Sequence, residues 1–121
     1  MRNLLLFILL ALSSLSATGR TIYVLSVGIS DYRYISDLQK TENDAREFSE
    51  LYMTHTKNVT TLLGSQATRE NILSSLRSCF AKAGADDIVV FFFSGHGDKG
   101  GLFAYETKGR STPVTYLEVQ K

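Results

Sequence analysis

A histidine held between two glycines closes the most apolar stretch of this chain. Residues 88–93 read IVVFFF and run straight into Ser94-Gly95-His96-Gly97-Asp98. An imidazole titrates near neutral pH, so His96 can take a proton from a nucleophile and give it to a leaving group. The glycines have separate physical uses. Gly95 is expected to let the chain turn sharply off the strand. Gly97 is expected to let a substrate approach the backbone, where its N–H could help hold a developing oxyanion. The plainer reading is a structural turn whose histidine caps a strand end, and the residues alone leave both open. The chain has one cysteine, Cys79, and one other histidine, His55. Cys79 falls on an apolar helical stripe and is expected to be a small core residue. His55 falls near a helix C-terminus, where a cation is favourable. No metal-ligand spacing is present, and Ser30, Asp31 and Asp98 supply too few oxygens for calcium. No cofactor is expected.

The elements that must position His96 follow from periodicity. TIYVLSVGI, from Thr21, is almost continuously apolar and reads as a buried strand closing at Gly28. The loop after it carries Tyr32 and Tyr34, which should flank the same rim as His96. Helix signals begin near Thr41 to Asp44, and Ala45, Phe48, Leu51, Tyr52 and His55 recur on one face. NVTTLLG, residues 58–64, reads as a second strand. Thr68 is a good N-cap for the next helix. Ile72, Leu73, Leu76, Cys79, Phe80 and Ala83 form its stripe, and Gly84 sits where a left-handed C-terminal residue belongs. Residues 88–93 are the third strand. GLFAYE, residues 101–106, predicts a short strand or hairpin arm. Thr115 and Glu118 have the spacing of a capping box. Strands alternating with helices imply a mostly parallel sheet covered on both faces. In such sheets ligands bind beyond the carboxyl ends of the strands, where residues 28–30 and 94–97 both fall.

The first residues stand apart from this pattern. Arg2 precedes an unbroken apolar run over residues 4–12, followed by small residues suited to a signal peptidase. A membrane span needs about 20 apolar residues, roughly twice this run. Residues 1–19 are therefore expected to be a signal peptide, and residues 20–121 the domain, secreted or periplasmic. The alternative is a short anchor that is never cleaved. After cleavage no stable membrane span is expected. With 13 basic and 12 acidic residues in 121, and no two adjacent basic residues, nucleic acid is not an expected partner. A single cysteine excludes an internal disulfide framework, so an apolar core alone must stabilise the domain.

Three segments carry a resemblance to the caspase-like cysteine peptidases, the caspase–metacaspase or C14 group. They are a first strand ending VGISDY, the helix start ENDAREF, and VVFFFSGHGDKGGLFAYE. The resemblance runs from about Ile22 to Glu118. It implies an α/β fold, a caspase-like, mostly parallel sheet flanked by helices on both faces. His96 matches the family's catalytic histidine, and Gly97 the position whose N–H contributes to the oxyanion hole. Asn43, Asp44 and Ala45 match a helix-start motif, in which Asp44 would cap the helix. Ser94 and Asp98 flank the site as loop hydrogen-bonding residues. The family's nucleophilic cysteine lies after the next core strand, in a pattern like Asp-x-Cys-x-Ser-Gly. The sequence ends at Lys121, truncated before that strand, so an inactive N-terminal part with an open sheet edge is expected. The implied activity is endopeptidase cleavage of a peptide or protein substrate by a Cys/His dyad. A separate C-terminal segment carrying the cysteine would be a partner. A non-catalytic scaffold domain, or a truncated gene product, are the alternatives.

Overall fold

The computed structural model describes residues 5–12, 20–108, 114, 115 and 118, with the backbone alone for residues 5–12. Strands β1 (Leu5–Leu12) and β2 (Ile22–Gly28) precede helix α1 (Thr41–Met53). Strand β3 (Val59–Leu63), helix α2 (Arg69–Phe80) and strand β4 (Ile88–Asp98) follow. Two short strands, β5 (Gly101–Leu102) and β6 (Val114–Thr115), complete the sheet. Its order is β3-β2-β4-β5-β6, with β1 also paired to β4. The β3-β2-β4 centre is parallel, while β1, β5 and β6 run antiparallel to their neighbours. The sheet is therefore mixed, where alternating strands and helices had suggested a mostly parallel one. A tight turn after Asp98 reverses the chain, and the Asp98 carboxylate accepts the Gly100 N–H there at 2.7 Å.

The two helices meet residues of opposite parity on the central strands. Phe48 of α1 stacks on Phe92, with ring centroids 4.4 Å apart, and Ser26 donates to the Ala45 carbonyl. Ile72 and Leu76 of α2 join Leu25, Val27, Phe91 and Phe93 in the main core cluster. Alternate residues of a strand face opposite sides. Among the described residues, no helix is long and apolar enough to cross a membrane.

Several local expectations are met and several corrected. Thr68 caps α2, its side chain accepting from the Asn71 N–H. Gly84 is not left-handed: α2 ends at Phe80, and the Gly84 N–H is taken by the Asp87 carboxylate at 2.8 Å. Leu51 leaves the apolar face of α1 and is exposed, while Thr41, Ala45 and Ser49 are buried. The arm expected over residues 101–106 is only two residues of strand. The capping box at residue 115 is present in its bonds, Thr115 N–H to Glu118 and Glu118 N–H to Thr115. The rest of the helix expected there lies outside the described residues.

The edge of β4 is covered in the whole chain. Residues 5–12 lie along it from Leu12↔Val89 to Leu5↔His96. An edge strand of apolar residues with unpaired amides is a template for another strand, and a second apolar run in the same chain fills it.

Candidate active site

β2 and β4 are parallel neighbours, and their carboxyl ends lie side by side, the end of an open α/β sheet at which ligands bind. Two pieces of chain meet there: the loop after β2 and the far end of β4.

β4 does not stop at Phe93. It continues through Ser94, Gly95, His96 and Gly97 to Asp98, so His96 belongs to the strand and not to a loop beyond it. Gly95 is consequently not a turn residue. A Cβ there would stand 2.4 Å from the Tyr32 hydroxyl and 2.9 Å from the Phe93 ring. The glycine is required by close approach, not by chain reversal.

His96 is buried, with 4 % of its surface exposed. Its Nε2 lies 2.8 Å from the Ser36 carbonyl oxygen. A carbonyl can only accept, so Nε2 carries the proton and Nδ1 is left as the basic atom of the neutral ring. The Tyr32 ring packs against the imidazole, centroids 4.9 Å apart at 52°. The backbone is held as tightly. His96 N–H donates to the Tyr32 hydroxyl at 2.8 Å, and the Phe103 N–H donates to the His96 carbonyl at 3.0 Å.

Gly97 is placed by the alternation of that ladder. His96 bonds toward Phe103, so the Gly97–Leu102 pair is of the non-hydrogen-bonded kind. The Gly97 N–H therefore points to the opposite side of β4. That is the side lined by β1 as far as His96, and Gly97 lies one residue past the last pair.

The supporting loop is tied to the start of α1. Thr41 donates to the Ile29 carbonyl at 2.7 Å, and the Glu42 carboxylate accepts the Ser30 N–H at 3.0 Å. Asp44 is not a cap: Lys40 holds the N-cap position with φ 71°, and Asp44 instead accepts from buried Ser94 at 3.4 Å. Asn43 accepts from Arg46 on the exposed side. Ser94 and Asp98 form hydrogen bonds, as expected, but as residues of β4 and not of a loop. Of the two loop tyrosines, Tyr32 is buried under His96. Tyr34 is half exposed, with Arg33 and Lys108 against its ring. The Ser36 carbonyl and the Tyr32 hydroxyl are the partners that sequence reasoning did not assign. A backbone carbonyl leaves no side-chain signal, whereas Tyr32 at least stood in the loop known to reach this rim.

Cys79 is remote from this site. Its sulfur lies 3.1 Å from the Thr60 hydroxyl, and both line a pocket of about 290 Å³ with Tyr23, Lys57 and Lys82. Thr60 is level with Phe91 across β2, and His96 is five residues further along β4, about 16 Å away at roughly 3.3 Å per residue. His55 follows the end of α1 and is exposed.

Comparison with known families gives one result. The caspase domain model of the peptidase C14 family matches residues 22–118. No curated protein and no solved structure matches the chain. The match begins with β2 and covers β4 and His96, and on that extent the chain belongs to the caspase domain family.

Proposed function

We propose that this chain is the N-terminal part of an exported, caspase-like cysteine endopeptidase, in which His96 is the acid–base residue. The observation that carries the reading is the state of the ring. A buried imidazole locked through Nε2–H keeps Nδ1 free to accept a proton. Gly97 supplies the second group, an N–H on the side of β4 away from β5. The nucleophile comes from a cysteine on a strand running beside β4, on that same side. Residues 1–19 direct export, to the periplasm or out of the cell.

The chemistry is acyl transfer. His96 Nδ1 takes the thiol proton, and the thiolate attacks the scissile carbonyl carbon. As the C–S bond forms, the carbonyl electron pair moves onto oxygen, and the Gly97 N–H helps stabilise the oxyanion. Collapse breaks the C–N bond, and the imidazolium returns its proton to the leaving amine. Water, deprotonated by His96, then cleaves the thioester and regenerates the thiol. Cys79 has no part in this, because a nucleophile must lie within hydrogen-bond reach of its base.

The test is to sequence the source DNA beyond codon 121 and to assay the longer product. The expected result is a further strand followed by Asp-x-Cys-x-Ser-Gly, with peptide hydrolysis abolished by His96→Ala. Residues 1–121 alone should be inert. No such motif in any nearby frame would leave His96 without a nucleophile and replace this reading with a binding or scaffold domain.

A further inference from the structure

The pair that should follow Gly97–Leu102 in the β4–β5 ladder is His96 with Phe103. Only half of it is closed directly, by the Phe103 N–H donating to the His96 carbonyl at 3.0 Å. The other half runs through a side chain. His96 N–H donates to the Tyr32 hydroxyl at 2.8 Å, and that hydroxyl donates to the Phe103 carbonyl at 3.0 Å. A phenol has one proton to give and lone pairs to receive, so one O–H bridges an amide and a carbonyl that would otherwise bond each other. We propose that Tyr32 is a positioning residue, its hydroxyl wedged into the ladder to set where the His96 ring stands against Ser36. The inference rests on the reading of His96 as the base.

Three further observations support a wedge over a passive contact. Gly95 leaves room for it, since any side chain there would collide with the hydroxyl. The loop that carries Tyr32 is fastened to the same segment it props, because the Arg33 N–H donates to the Tyr105 carbonyl at 3.1 Å. The same loop supplies Ser36, so both contacts of His96, ring and amide, come from one piece of chain. Burial pushes the Tyr32 phenol well above its ordinary range, although the His96 N–H pulls the other way. The hydroxyl thus keeps the proton it must donate at every physiological pH.

Removing the oxygen has a definite consequence. In Tyr32→Phe the His96 N–H and the Phe103 carbonyl either stay buried without partners or close on each other. Closure draws His96 toward Phe103 and off the Ser36 carbonyl. The experiment is NMR of the His96 imidazole nitrogens in the full chain, which needs neither cysteine nor substrate. Wild type and Tyr34→Phe should show a single Nε2–H tautomer. Tyr32→Phe should show a mixture of tautomers. A folded Tyr32→Phe that keeps the single Nε2–H tautomer would overturn the proposal. Should that variant fail to fold, the wild type decides. A slowly exchanging Tyr32 hydroxyl proton with a cross-peak to the His96 amide supports the wedge, and its absence refutes it. A tautomer change without any downstream cysteine motif would sustain Tyr32 as a positioning residue while removing the peptidase reading.

Discussion

Asp87 joins two elements through one carboxylate. It accepts the Thr21 N–H at 3.0 Å, just before β2, and the Gly84 N–H at 2.8 Å, in the turn leading into β4. The Gly84 bond first, and the Thr21 bond second, hold its pKa below the usual carboxylate value. A carboxylate depressed by folding contributes stability that is complete above its unfolded pKa and lost as pH falls through its folded one. The clamp should therefore be intact at neutral pH and weaken below about pH 4. Asp87→Asn should flatten the acid limb of the stability curve, read by thermal melts between pH 2 and pH 7, while leaving the His96 signals unmoved. Other residues show what sequence could reveal at this scale. His96 was legible because glycines on both sides of an imidazole are costly unless something must approach. Its lock was not, since a carbonyl from Ser36 is chemically anonymous in a sequence.

At the scale of elements, α1 is the part on which the site leans. Its first turn holds Ile29 and Ser30 through Thr41 and Glu42, and Asp44 reaches Ser94 on β4. That closeness depends on Gly28. A Cβ there would lie 2.5 Å from the Thr41 carbonyl and 2.7 Å from the Ala45 methyl. Gly28→Ala should cost about 1–3 kcal/mol by overpacking, a fall in Tm of roughly 5–20 °C for a domain of this size. Because α1 would be pushed from β2, the same variant should broaden the NMR signals of the 30–38 loop. The helices were readable from Thr68 and from the stripe through Ile72 and Leu76, where propensity and burial agree. The length of β4 was not. Gly95 and Gly97 look like turn residues, and only the third dimension reveals that one is empty to admit Tyr32. Leu51 faces water because six residues from buried Ala45 turn it about 120° round the helix, off the face that holds Thr41, Ala45 and Ser49.

For the molecule as a whole, the pairing of β1 with β4 decides how the chain behaves in solution. Leu5–Leu12 cover β4 from Val89 to His96, the edge on which the proposed cysteine strand would have to sit. Residues 20–121 alone would present that edge bare, eight positions long and largely apolar. The shorter chain should associate with rising concentration in sedimentation, while residues 1–121 stay monomeric at the same concentrations. Equal behaviour of the two would mean that β1 protects nothing. The apolar run over residues 4–12 was plain in the sequence, but a leader and an edge strand share the same composition, and no period separates them. The order of synthesis does separate them. β1 and its partner positions on β4 lie roughly 80 residues apart in the chain. At roughly 5–20 residues per second, the first strand leaves the ribosome some 4–16 s before the edge that could receive it exists. Throughout that interval residues 5–12 have no β4 edge to pair with, so this antiparallel pair cannot close until β2, β3 and β4 have all been synthesised.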